Sequence, residues 1–497
     1  MNPIRMPVGR RLLLGCALAA TLLIAAPASG AVREVPQDYP NIQAAVDAAN
    51  PGDTIAISKK TNFQHVNVPT PNLLIKGVKK SVVVDGYING VGSGEHFNIT
   101  ANGVRIVNLG IKNGQGIDCN SSNGCTIKNL RYSGQLGTYC FYSSGDRARV
   151  VGSTLRHCGN EGVYASSDDA RIIRNSIART DEACISVNGH DAIIRGNRVR
   201  GCEDDDAIYV SGDRALIENN SARGADGSII AISGNNARIL SNRGGDTYDE
   251  CYDLSGDNVK FRKNIGTNCH DYGVDLSGDN PQVVANRMRG TDGYGYYLDC
   301  PGPCGGTRIT DNAFHTNSQD YNGMYVTLST GGSPLIARNT VVNASDYGLE
   351  ANADGARIVG NVVRTSNNEH EPALYINGDD NTVRGNRSIG NGGDGFDIDG
   401  DDNLLVENLA RANGGDGFYV DSLSDGSQLN ANLAFGNGAD GFENDGTNTA
   451  VRRNRAANNH RDCANDGTIA VKKKNKCADG SNFNQPGTAS RVKHRRR

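Results

Sequence analysis

The sequence predicts an all-β solenoid of about 16 coils, in which the strands of successive coils stack in parallel. An asparagine returns about every 22 residues, as in ARIIRNSI (Asn175), AIIRGNRV (Asn197), ARILSNRG (Asn242), VKFRKNIG (Asn264) and PQVVANRM (Asn286). Within one period, as in residues 162–177, two short runs of alternating apolar and polar residues are separated by Ser, Asp and Gly turns, which is strand patterning. Sixty-three glycines among 497 residues, and no tryptophan, suit a turn-rich wall around stacked Val, Ile and Leu. Helical repeats are excluded because they need roughly 30 or more residues at a 3.6 periodicity.

Taken from the N-terminus, residues 1–31 open with Arg5, Arg10 and Arg11, run through the apolar LLLGCALAATLLIAA and end in PASGA. This is the form of a secretory signal peptide and predicts a secreted or periplasmic protein. LLGC at 13–16 mimics a lipoprotein box but lies at the front of the apolar stretch, and Arg10-Arg11 lacks the surroundings of a twin-arginine signal. No later stretch has the roughly 18 apolar residues that a transmembrane helix needs. Loss of three arginines and no acid with the leader moves the formal net charge from −4 to −7, which disfavours nucleic acid as a partner. The solenoid is assigned to residues 32–477, as one domain acting as a monomer, and residues 478–497, ending RVKHRRR, to a disordered basic tail.

The asparagine series has sixteen positions from Asn108 to Asn454, with Ser153 the only other residue type and steps of 21 to 27 residues. Side chains at one bend of every coil would point inward and bond the backbone of the neighbouring coil. With Cys16 in the leader, twelve cysteines remain. Cys140 and Cys158, Cys184 and Cys202, and Cys251 and Cys269 are each 18 apart at equivalent coil positions. They predict three disulfides, joined by Cys119–Cys125, Cys300–Cys304 and Cys463–Cys477, in an oxidising compartment. Zinc is disfavoured because the paired C-x-x-C or histidine spacing is missing.

Aligned coils give the outward positions. One series reads Tyr142, Tyr164, Ser186, Tyr209, Ala231, Asp253, Asp275, Tyr297, Tyr325, Glu350, Tyr375, Asp397, Tyr419 and Glu443, and two residues further on lies a second polar row that includes Ser277 and Asp299. Tyrosine faces repeating near 5 Å suit an extended polysaccharide better than a small molecule. A third row carries arginines, among them Arg223 and Arg289, suited to the carboxylates or sulfates of an anionic polymer. Chemistry is densest at 249–299, where Asp249, Asp253, His270, Asp271, Tyr272, Asp275, Tyr297 and Asp299 fall in consecutive coils. Asp253, His270, Tyr272, Asp275 and Asp299 are the candidate catalytic set for proton abstraction beside a uronate carboxylate. Asp249, Asp253, Asp271 and Asp275 are candidate ligands for Ca²⁺.

NIQAAVDAANPGDTIAI at 41–57 is similar to the amphipathic cap helix and first strand of the pectate-lyase-like superfamily, and the repeats over roughly 35–460 resemble its right-handed parallel β-helix. The resemblance implies that fold, with a short N-terminal cap helix, and leaves function open among lyases, hydrolases, esterases, epimerases, phage tailspikes and non-catalytic surface proteins. YGVD at 272–275 is similar to the start of the Y-G-x-D-P-H motif of mannuronan C5-epimerases, so Tyr272 and Asp275 would match that family's catalytic Tyr and Asp. Leu276 and Ser277 stand where Pro and the catalytic His belong, so the motif is interrupted. NGGDGFDIDGDDN at 391–403 has the look of a calcium-binding nonapeptide, but it recurs at the coil period and that family is rejected. The expectation is a β-helix that binds an acidic polysaccharide and acts on it as a lyase or C5-epimerase. The alternatives are a non-catalytic glycan-binding adhesin and a structural spacer.

Overall fold

The computed structural model describes residues 30–483, apart from 63–64, 80–81, 86, 89–90, 93–96, 114–115, 135–138, 318–320, 331, 365 and 367–369. Residues 1–29 of the expected signal peptide and 484–497 of the expected tail lie outside the described residues. Three long parallel sheets, of 20, 19 and 18 strands, form the faces of one solenoid. The chain passes through the first, second and third sheet in turn and then rises one rung. That makes about 19 turns where the asparagine count gave about 16. The difference arises at the ends, where coils such as the one containing Val66–Val68 and Leu74–Gly77 are built without an inward asparagine.

Interior packing is like on like. In the first sheet Ile172, Ile194, Ile217 and Ile239 are successive partners in register, and all are fully buried. At the C-terminal end Phe396, Phe418 and Phe442 stack with ring centroids 4.7 and 4.9 Å apart. The cap helix is Ile42–Asp47, shorter than the similarity over 41–57 suggests. Asn41 caps it by accepting from the Ala44 amide at 2.8 Å, while Pro51 soon follows and bars extension. A strand precedes the helix: Val32–Val35 pairs with Thr54–Ile57, so the latter is second in its sheet.

Each ladder asparagine works in two directions. Asn242 donates its side-chain amide to the Ile217 carbonyl at 2.9 Å and to Asn264 Oδ1 at 3.1 Å, and its backbone N–H reaches the same Oδ1 at 2.9 Å. The residue before it bends through positive φ, as at Ser241 (56°) and Lys263 (58°), and the ladder satisfies the groups this bend takes out of the sheet. Asn108 and Asn129 are exceptions to the predicted series. They sit one residue early, at φ 59° and 54°, and buried Leu109 and Leu130 occupy the inward place. The ladder proper begins at Ser153, whose hydroxyl accepts from the Leu130 amide, and it extends past Asn454 to Asn475. A second ladder, Asn391, Asn413, Asn437 and Asn459, joins the last coils. All six expected disulfides are present.

Candidate functional site

The Tyr/Asp series is the outward row of the third sheet, and the register runs unbroken from Tyr142 to Glu443 through Tyr164, Ser186, Tyr209 and the rest. Asp253 and Asp275 are adjacent partners, Tyr297 follows Asp275, and Asp299 faces Ser277 in the row two residues on. Neither outward row from Tyr142 to Asp445 contains a lysine, arginine or histidine. Tyr419 departs from the expected role: it is buried, and its hydroxyl donates to Asp445, so it packs the wall instead of offering a face. Tyr375 donates to Asp399 at 2.9 Å while keeping part of its ring open.

A wall along one side of this row was not anticipated. It comes from the turn three residues before each rung, which places Tyr139, Glu161, Asp206, Glu250, Tyr272, Tyr294 and Tyr347 beside the strip. Five tyrosines then meet at one place. Tyr294 lies 4.9 Å from Tyr272, 5.5 Å from Tyr297, 5.2 Å from Tyr321 and 5.8 Å from Tyr325, centroid to centroid, and Tyr297 stacks on Tyr325 at 5.1 Å. Further toward the N-terminus, Tyr142 and Tyr164 stack at 5.4 Å with Tyr139 against both.

The acids meet directly beside the five-tyrosine group. Asp249, Glu250 and Asp271 bring carboxylate oxygens within 4.8 Å of one another. Asp253 and Asp275 lie outside that trio but in its field. Burial pushes the Glu250 carboxyl up to about 8, helped by its hydrogen bond with Asp249 and the charges of Asp249 and Asp271. Burial likewise lifts Asp206 to about 7 and Asp275 to about 6, the latter aided by Asp253, Asp271 and Asp299. Asp253 and Asp271 are raised too, by burial and by Asp249. Tyr272 goes up to about 12 through burial and the charges of Asp271 and Asp275, so it stays protonated. Burial is the largest cause of each shift, and the neighbouring negative charges add to it.

Several predicted members stand apart. His270 stacks on Tyr248 at 5.4 Å and bonds Asp292 at 3.0 Å in the turn, so it does not fill the place of the histidine missing after Asp275. Arg223 and Arg289 are on the second sheet, with Arg223 paired to Asp246 at 3.0 Å. The cavities beside Cys477 and Phe483 and beside His157 and Arg179 also lie away from the strip, which is an open face of the kind a polymer can cross.

A family model described as "Right handed beta helix region" matches residues 183–334 and 302–460, together more than half of the chain. A model described as "Periplasmic copper-binding protein (NosD)" matches residues 46–225. Among the described residues, the donors there do not fit copper. The range has no methionine, its six cysteines are in disulfides, and described His65, His157 and His190 bond separately to Asn67, Arg179 and Asp213. No curated protein matches the chain. Among solved structures, an alginate lyase from Paenibacillus sp. str. FPU-7 is 16% identical and aligns over 52% of this chain and 92% of its own, with a TM-score of 0.31. A periplasmic alginate epimerase is 14% identical over 75% of this chain and 76% of its own, at 0.28. The receptor-binding tailspike of bacteriophage Det7 is 12% identical over 81% and 73%, at 0.31.

Proposed function

The chain belongs to the right-handed β-helix family, a solenoid that acts through the outward side chains of its coils, and we propose that its third sheet binds an extended acidic polysaccharide and acts on it. The observation that carries this is the junction of five tyrosines with the acids Glu250, Asp253, Asp271 and Asp275, of which Asp253, Asp275, Tyr297 and Tyr325 follow one another in register. The rings offer flat faces to sugars on successive rungs, and Tyr272 and Asp275 are the groups that move protons. Tyr272 keeps its proton at neutral pH while Asp275 has largely lost its own. Pairs held apart in this way supply a donor and an acceptor for lyase or C5-epimerase chemistry on a uronate.

Neither outward row from Tyr142 to Asp445 offers a uronate carboxylate a basic side chain. Asp249, Glu250 and Asp271 offer oxygen atoms alone, a donor set for Ca²⁺. Bound there, that cation would neutralise the uronate carboxylate beside the proton to be removed. Asp275→Asn is expected to lower turnover of alginate or polygalacturonate at least ~100-fold, read as unsaturated product or as a changed uronate composition, and chelator should act in the same direction. Unchanged turnover in Asp275→Asn would move the chemistry elsewhere.

Tyr297→Ala combined with Tyr325→Ala is expected to weaken binding of the same polymers by about tenfold or more in the presence of Ca²⁺, as two stacking faces are lost. Calorimetry on the folded variant checks it. The placement of His270 favours a second reading, a glycan-binding solenoid without turnover; binding that depends on the tyrosines, with no product formed on either polymer, would select it.

A further inference from the structure

The net charge of the chain conceals a separation of charge by sheet. Across the eight consecutive second-sheet strands from Arg131–Ser133 to Arg287–Thr291 there are nine arginines and one acid, Asp246. All nine arginines are exposed. Arg200 and Arg223 are partners on adjacent rungs; Arg156 lies in the same row beyond Ala178, and Arg289 beyond Gly245 and Thr267; Arg198 and Arg287 stand two residues before Arg200 and Arg289 on their strands. The two rows lie about 7 Å apart and the rungs about 4.8 Å apart. The ion pairs formed by the described residues involve only Arg223 of the nine. Arg200 and Arg223 are the pair on neighbouring rungs of one row, and Asp246 offsets the charge of Arg223; an anion lying across the face engages the guanidinium groups left without an acid.

We infer that this arginine face of the second sheet is a second polysaccharide surface, distinct from the Tyr/Asp strip, and that it grips a linear polyuronate along the solenoid axis. The spacing favours that polymer: carboxylates repeating at about 5 Å along the axis meet an arginine on every rung of the eight except Ile265–Cys269, and the planar guanidinium fork engages a carboxylate through two parallel hydrogen bonds. The six disulfides place the chain in an oxidising compartment, where it meets surface and secreted polysaccharides and not the nucleic acid of the cell interior. On the proposed reading of the strip, its hold on a uronate runs through Ca²⁺ and that of the arginines does not, so the two surfaces separate in a chelator.

The test uses the whole protein, polygalacturonate as probe, EDTA, and salt stepped from about 50 to about 500 mM. Wild type is expected to bind at low salt and to weaken at least about tenfold at high salt. Arg200→Ser, Arg223→Ser and Arg289→Ser together should lower low-salt affinity by about tenfold or more, and the same three changed to Lys should fall between, since Lys keeps the charge and loses the fork. The Tyr297→Ala, Tyr325→Ala variant should bind in EDTA as wild type does. Absence of binding in EDTA, an unaltered affinity in the folded Ser variant, or loss of binding in the tyrosine variant would overturn the proposal. So would duplex DNA or anionic lipid vesicles that bind as tightly as polygalacturonate, because the face would then be selecting charge and not sugar. The outcomes for the Ser and Lys variants do not bear on the Ca²⁺-dependent strip, whereas loss of binding in the tyrosine variant would show that the strip holds the polymer without a cation.

Discussion

Replacing Asn264 by alanine is expected to destabilise the protein by about 3–5 kcal/mol, the cost of leaving several buried polar groups unmet at once. The side chain is fully buried. Its Oδ1 accepts from the Asn242 backbone N–H at 2.9 Å and side-chain amide at 3.1 Å, and its own amide donates to the Ile239 carbonyl at 2.9 Å and to Asn286 Oδ1 at 3.1 Å. Alanine leaves two donors and one carbonyl without partners inside the stack, where water does not enter. Asn188 is a suitable control: it lies on the outward row and donates only to the Tyr164 hydroxyl, so Asn188→Ala should cost less than about 1 kcal/mol. Urea midpoints of the two variants decide the matter, and equal shifts would mean that the ladder does not carry the coil-to-coil bonding.

Glu250→Gln is expected to raise the melting temperature at alkaline pH and to leave it unchanged near pH 4. The folded state holds the Glu250 proton up to about 8, whereas the unfolded chain releases it near the ordinary value of 4.5. A group raised in this way contributes stability below its unfolded pKa and loses that contribution as pH rises through its folded one. Glu161 and Asp206, both held at about 7, and Asp275, at about 6, act in the same direction. Wild-type stability should therefore decline between about pH 4 and pH 8 on account of these acids. Glutamine cannot ionise and removes one share of that decline, worth roughly 1–3 °C near pH 9 because the site is only partly shielded from solvent. Melting curves at several pH values test it, and a gain at pH 4 as large as at pH 9 would rule out ionisation as the cause.

The outward strip was legible because a strand alternates with period two and a coil repeats near 22, so one aligned asparagine assigns every rung; the pairing of Asp253 with Asp275 follows from it directly. The wall was harder to see because Glu250, Tyr272 and Tyr294 come from turns, where alternation fails, although they too recur three residues before each rung. Asn108 and Asn129 misled for a related reason: the left-handed bend tolerates asparagine as readily as the inward site uses it, and only the backbone angle tells the two apart. Arg223 and Arg289 could be aligned to a row, but which of three faces that row occupies depends on how the coil folds back, and spacing along the chain does not contain that angle.

The ladder has a further consequence for how such a surface can change. Asn286, Asn312 and Asn339 make the same bonds as their neighbours although 26 and 27 residues separate them in place of 22. The extra length goes into the turns around the third sheet, where Tyr297–Pro303 and Met324–Thr330 are seven residues long and Tyr321 joins the aromatic group. Fixed attachment points on the inside leave the intervening loops at liberty to lengthen. Scaffold and working surface are therefore separate modules, and new loops could be grafted beside Asp275 without altering any contact of the core.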